Sequence, residues 1–376
     1  MKLFCKLPFS RISIDDDGNV WPACCPDWVQ FPLGNIFKQD WSEIWYGEAA
    51  TKLRNSMFDG SLQYCKRDWC PNVADAEAGI DNYHVIPLHK APKSWTPQPP
   101  EHVNMNYDMS CNLKCPSCRS ELIHYRGEQL QKVQQLQNYA EEKILPEVQS
   151  IALTGVGDPF ISKVFRPFLF DFNSNKYPRI KTIHFHTNGL LFTPEMYGKM
   201  KGIHHLRIST DISIDAASEE VYNKVRPPGN WNTLMENLQF IKQLDNLVLL
   251  GISMVVQQDN YRQMPDFIKL AESLARGKRA TFVEFKRIRH DPHLTAEQYQ
   301  LMGIDEMDEQ HKKEFVEILV EVEKKRLYNA RKHIQPSIRH NLHEYLPQRM
   351  ATGNRSVWEK LSSFFYRNGT TSVIHN

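Results

Sequence analysis

A chain of 376 residues has room for one large domain and a smaller one, and its formal net charge of +2 with 24% charged residues excludes a dedicated nucleic-acid or membrane-surface binder. No apolar run approaches the ~18 residues of a membrane span, and the start, MKLFCKLPFSRISIDDD, lacks an apolar core of signal-peptide length, so a cytoplasmic protein is expected. All eight cysteines lie in the first 118 residues, and in a reducing compartment such grouping points to metal ligation more than to disulfides.

Five of them, Cys5, Cys24, Cys25, Cys65 and Cys70, precede residue 74. Between the first two, an alternating stretch from Phe9 to Val20 breaks at Asp16-Asp17-Gly18-Asn19, a hairpin turn signal. A helical pattern follows through Trp41, Ile44, Trp45, Ala49 and Leu53, with Asp40 or Ser42 as its cap. The hairpin and helix would bring Cys5, one of Cys24 and Cys25, Cys65 and Cys70 together. Spacing alone leaves zinc and iron–sulfur equally open for four such thiolates.

Residues 84–100 carry five prolines and suit an extended linker. Beyond it, six apolar segments of strand length alternate with helical ones, at about 102–110, 150–156, 180–188, 206–215, 247–256 and 280–288. Strands separated by helices imply right-handed crossovers and a parallel sheet, here a partial (β/α)6 TIM-like barrel. The organisation expected is an auxiliary module over 1–84, a linker over 85–100, the barrel over 101–290 and a C-terminal extension over 291–376.

The remaining cysteines, Cys111, Cys115 and Cys118, form C-x3-C-x2-C just after the first barrel strand. A closed zinc site needs four protein donors, whereas a cubane cluster on three thiolates keeps one iron free for a ligand. The bland alternative is a zinc knuckle completed by Asp108 or His124. Parity along the strands bears on the choice. Asn104, Asn106, Asp108 and Ser110 share one face of the first strand, His184, His186 and Asn188 one face of the third, and Ser209, Asp211, Ser213 and Asp215 one face of the fourth. With the apolar faces packed on outer helices, these faces point inward and form a ligand cavity.

These residues resemble the radical S-adenosylmethionine (SAM) superfamily over about 102–290. The resemblance implies a 4Fe–4S cluster on Cys111, Cys115 and Cys118 whose open iron chelates SAM, and reductive cleavage to a 5′-deoxyadenosyl radical. Thr154-Gly155-Val156-Gly157-Asp158-Pro159 matches the turn that receives the methionyl ammonium, with Val156 and Asp158 departing from the usual Gly-Gly-Glu-Pro. Gly155, Gly157, Asp158, Pro159, Asn188, Ser209, Ser213, Asp215 and Arg226 are the cofactor-binding residues so implied. Residues 5–70 are similar to the auxiliary-cluster modules called SPASM or twitch, which implies a second 4Fe–4S cluster on Cys5, Cys24, Cys65 and Cys70. Trp69 is expected to pack around it.

Asp108, His186 and Asp211 are candidate proton acceptors. Lys286, Arg287 and Arg289 are candidates to anchor an anionic substrate, or else a solvated edge. After residue 290 the strand–helix rhythm lapses, apart from an amphipathic helix near 314–327. The expected activity is that of an oxidoreductase or maturase modifying a peptide or protein, with a sugar or aminocyclitol dehydrogenase or epimerase as the alternative and a non-catalytic cluster protein as the rival. A flavodoxin or ferredoxin would be the reductant; no nucleic acid or membrane partner is expected.

Overall fold

The computed structural model describes residues 2–22, 28–67, 70–77, 83–288 and 294–347. Its strands are β1 (Leu3–Cys5), β2 (Arg11–Asp15), β3 (Asn19–Trp21), β4 (Gly34–Asn35), β5 (Val85–Pro87), β6 (His102–Asn106), β7 (Ser150–Leu153), β8 (Thr182–Thr187), β9 (Arg207–Ser213), β10 (Leu247–Val256), β11 (Ala280–Arg287) and β12 (Ser337–His340). Ten of them form one open sheet in the order β12-β11-β10-β9-β8-β7-β6-β2-β3-β4. Pairing is parallel from β2 through β6 to β12, and β3 and β4 add an antiparallel edge.

The six expected strands are β6 to β11, adjacent in chain order as right-handed crossovers require. Their outward side chains, among them Val103, Met105, Ile151, Ile183, Phe185, Ile212, Ile252, Met254, Val283 and Phe285, are buried beneath the crossover helices. Several strands end earlier than the apolar pattern suggests, because their last residues turn off to build loops. β7 stops before Thr154 (φ +54°) and β9 before Asp215 (φ +60°), a left-handed conformation that costs a non-glycine residue energy.

The rhythm does not lapse after β11. The helix Glu309–Lys332, longer than the pattern near 314–327, leads into β12, which pairs with β11 through Phe282–Phe285 and Ser337–His340. Only Ser337 to His340 form the strand, too short an apolar signal to stand out. Under that helix, Glu323 accepts Arg326 Nε and Nη2 at 2.6 Å each and pairs with His340 Nε2 at 2.9 Å, all deeply buried.

At the other end, β2 lies parallel against β6, Arg11–Asp15 beside His102–Asn106. The turn at Gly18 (φ +79°) is the expected hairpin, closed by the Asp15 carboxylate, which accepts from Asp17 N, Asn19 N and Trp21 Nε1. The helical pattern after it splits into Trp41–Tyr46, capped by Asp40 with Glu43, and Glu48–Phe58. Gly47 is the break: a Cβ there would overlap the carbonyl of Glu43. Arg54 is buried between the rings of Trp45 (4.1 Å) and Trp95 (4.3 Å) and donates to Pro8 O and Trp45 O. The proline-rich segment is therefore strapped down: Val85–Pro87 pairs with β1, and Gln98 O accepts Trp45 Nε1 at 2.6 Å.

Candidate active site

Leaving β6, the chain turns at Asp108, whose carboxylate accepts Ser110 N (2.8 Å) and Ser162 Oγ (2.5 Å). Both carboxylate oxygens thus brace the loop rather than face the barrel interior. Cys111 and Cys115 are buried and Cys118 is exposed. Burial pushes the Cys111 thiol up and the Cys115 thiol to about 11. Arg119 lies within electrostatic reach of all three sulfurs and donates Nε and Nη2 to Cys118 Sγ at 3.4 Å. Its other bonds, to Met109 O (2.7 Å) and Val156 O (2.6 Å), tie this loop to the turn after β7. No motif marked Arg119; it is a neighbour of Cys118 whose role appears only in space.

That turn presses on the cysteine loop. Thr154 Oγ1 accepts Val156 N (3.0 Å) and Gly157 N (2.7 Å). A Cβ on Gly157 would sit 2.6 Å from Ser110 O and 2.9 Å from the Met109 carbonyl carbon, so only glycine permits this approach. Asp158, 1% exposed, is consumed by the protein: Phe160 N (3.0 Å), Thr187 Oγ1 (2.6 Å) and Asn188 N (2.9 Å) all donate to it. Burial outweighs these bonds and raises its pKa. Asn188 in turn reaches Asn112 Oδ1 at 2.8 Å and Cys111 Sγ at 3.8 Å.

Beyond β9, Asp215 Oδ2 accepts Arg226 Nε at 2.8 Å and pairs with its Nη2 at 2.7 Å, while Oδ1 accepts Val255 N at 2.7 Å. Burial alone would lower the Arg226 pKa; Asp215, then the nearby Cys115, hold it above its ordinary value. Lys114 N donates to Pro227 O at 2.8 Å, which docks the cysteine loop on this buried pair.

The polar parity faces meet inside the barrel. Ser209 Oγ contacts His184 Nδ1 at 3.0 Å, and Ser213 Oγ contacts His186 Nε2 at 3.3 Å and Ser253 Oγ at 3.4 Å. His186 Nδ1 is 3.7 Å from Asp211 Oδ2, and Lys286 Nζ is 3.8 Å from the same oxygen and 3.1 Å from Glu284 Oε2. Burial pulls His186 down to about 4 against the pull of Asp211, so it is neutral. For Lys286 burial is outweighed by Glu284 and Asp211, and it stays charged. Glu284 was missed in the sequence, although parity with Lys286 would have found it. Of the expected anion anchors, Lys286 is already paired with two carboxylates, Arg287 turns outward to Asp305 (2.5 Å) and Glu344, and Arg289 lies outside the described residues.

In the N-terminal segment, Cys5 ends β1, and Cys65 bridges Val29 across an antiparallel contact. Burial, then the neighbouring Cys70, pushes the Cys65 thiol up to about 12. Cys24, Cys25 and Trp69 lie outside the described residues. Among the described residues no three metal-ligating side chains are drawn into a closed site. The donor chemistry nonetheless fits: three thiols of one loop sit within mutual electrostatic reach beside Arg119, and the Asp108 carboxylate that could have completed a zinc site is bonded elsewhere.

Two family descriptions match this arrangement. Residues 5–71 match the SPASM iron-sulfur cluster-binding domain, and residues 109–271 match the radical SAM superfamily. The chain carries a radical SAM domain and a SPASM domain. As a radical SAM enzyme with a SPASM domain, it works with 4Fe–4S clusters and SAM. No curated protein matches its sequence. Among solved structures, it is similar to SuiB of Streptococcus suis bound to precursor peptide SuiA, at 11% identity over 92% of this chain and 73% of that one, with a TM-score of 0.44. It is also similar to TYW1 with a lysine-pyruvate adduct bound (16% identity; 60% and 72% covered; TM-score 0.35) and to BtrN in complex with AdoMet and 2-DOIA (15%; 43% and 67%; 0.23). At such scores none of them bears on the substrate of this enzyme. Among the described residues no helix is long and apolar enough to cross a membrane.

Proposed function

We propose that this enzyme oxidises a C–H position of a peptide or protein substrate held in the barrel interior. The observation that carries the reading is the physical continuity of the auxiliary segment with the barrel, β2 lying directly against β6 whose end opens into the Cys111–Cys118 loop. Residues 1–84 are the auxiliary module in this reading, 85–100 its connection, 101–290 the barrel and 291–376 the extension. When bound, the SAM-binding cluster with SAM supplies a 5′-deoxyadenosyl radical that takes a hydrogen atom, and the auxiliary cluster offers a sink for the electron left on the substrate.

Cys111, Cys115 and Cys118 would hold the first cluster, and Cys5, Cys24, Cys65 and Cys70 the second. Gly155, Gly157 and Pro159 would let backbone approach the methionyl group, with Asp158 orienting the turn through Thr187 and Asn188. The Asp215–Arg226 pair fixes the end of β9, where Ser213 would meet the ribose, while Ser209 is held by His184 two layers deeper. Neutral His186 beside Asp211 supports a role for this pair in taking the proton as the substrate radical is oxidised. A flavodoxin or ferredoxin would supply the reducing electron.

Incubating the reduced, two-cluster protein with SAM tests the chemistry. Formation of 5′-deoxyadenosine is expected; its absence with both clusters present and reduced would sink the reading. Peptide specificity predicts a small open reading frame beside the gene whose product loses hydrogen on turnover, whereas sugar-nucleotide enzymes in that neighbourhood would favour the carbohydrate alternative.

A further inference from the structure

Inside the barrel, one layer below Ser213, the buried carboxylate of Asp211 is incompletely bonded. Its Oδ1 has no hydrogen-bond partner among the described residues, although the residue is only 4% exposed. Its Oδ2 sees His186 Nδ1 at 3.7 Å and Lys286 Nζ at 3.8 Å, both beyond a direct hydrogen bond. One layer deeper on the neighbouring strand, His184 Nε2 is likewise buried and without a partner, its Nδ1 being engaged by Ser209. Buried polar atoms are rarely left so, because the lost hydration is not replaced.

The surroundings say what would complete them. Lys286 faces two carboxylates, Asp211 and Glu284, and is closer to Glu284. Another cation, Arg339 of β12, lies over the Phe282 ring at 5.2 Å. His184 and His186 are neutral, since burial holds both below their ordinary values. A ligand carboxylate or phosphate would meet Asp211 in repulsion, whereas a group rich in N–H donors would bond its open oxygen. Beside it, Gly251, paired with Asp211 across β9 and β10, has no side chain, and the tip of the Phe282 ring fills the place its Cβ would take, an apolar wall next to the carboxylate. An ammonium head on an aliphatic stem matches that combination of open acceptor and ring.

We propose that the barrel interior at Asp211 binds a primary ammonium group of the substrate, which on the peptide reading above is a lysine side chain. Asp211 is then a binding residue, and Glu284 with Lys286 sets the charge around it. The subsite rests on the orphaned oxygen, while its assignment to lysine rests on the proposed function.

The test uses full-length holoprotein with both clusters oxidised and SAM present, so that no radical forms. Ligand-observed NMR titrations would compare Nα-acetyl-lysine methylamide, its norleucine counterpart and glucosamine. The lysine probe is expected to bind at least about tenfold more tightly than norleucine, and Asp211→Asn to weaken it by about tenfold, as loss of a charged hydrogen bond does. Norleucine binding equally well, indifference of the lysine probe to Asp211→Asn, or no binding by any probe would overturn the proposal, the last leaving a buried water as the partner of Oδ1. Glucosamine binding in its place, with the same dependence on Asp211, would keep the ammonium subsite and overturn its assignment to a peptide. Iron content and melting temperature are measured alongside. Should Asp211→Asn fail to assemble, Glu284→Gln decides: weaker lysine-probe binding supports the subsite and unchanged binding overturns it.

Discussion

Single residues at this site are constrained by what they touch more than by their chemistry in isolation. Gly157 is the clearest case, because a Cβ has nowhere to go between the carbonyls of Asp108 and Ser110. Gly157→Ala is expected to cost about 1–3 kcal/mol of stability through backbone displacement, read as a lower melting temperature, and to abolish 5′-deoxyadenosine formation. Cys115→Ala should leave the auxiliary cluster in place. The iron count is then expected to fall from about eight to about four per chain, with no SAM cleavage. Cys70→Ala should show the same iron count with the opposite outcome, SAM cleavage surviving while substrate oxidation is lost. Asp158 is spent inside the protein: its bonds go to Phe160, Thr187 and Asn188 and hold the turn they frame.

Among the elements, the helix Glu309–Lys332 and β12 are joined by a buried charged cluster, and this makes their docking acid-sensitive. Burial works to raise the pKa of Glu323, but the bonds from Arg326 and His340 outweigh it and bring it from 4.5 down to about 2. A depressed carboxyl contributes stability above its unfolded value that is lost as pH falls from about 4.5 towards 2. His340, kept neutral by burial, adds a loss in the same direction as pH drops below its ordinary 6.5. Acidification should therefore loosen this helix first, by about 2–3 kcal/mol below pH 4, seen as faster amide exchange within it than in the β8 and β9 strands. Glu323→Ala, which strands Arg326 and His340, is expected to cost about 3–5 kcal/mol at neutral pH; a change under 1 kcal/mol would mean the cluster is not what docks the helix.

For the molecule as a whole, the unexpected feature is that the auxiliary segment and the barrel share one sheet. Removing residues 1–84 would strip β2 from β6 and bare the His102–Asn106 edge, so the truncated protein is expected to aggregate. A soluble, monomeric fragment would show that the β2–β6 pairing is dispensable. Much of the architecture was legible beforehand because it rests on short-range codes. The alternation along β8 and β9 separates Ile183, Phe185 and Ile212 from His184, His186 and Asp211, and Asp16-Asp17-Gly18-Asn19 permits little but a tight turn. What escaped was pairing between distant segments, as in β2 with β6 and β11 with β12, where backbone bonds leave no mark on residue type.

The sequence by itself determined the strand–helix order, the inward polar faces and the three-thiol loop, since periodicity and ligand spacing act within a few residues of chain. Only the tertiary structure decided that Arg119 clamps that loop to the Val156 carbonyl, that Lys286 is spent on Glu284 and Asp211, and that one oxygen of Asp211 is left open. Those facts depend on which charges from separate strands come within bonding distance, and burial then fixes their protonation and what they can still bind.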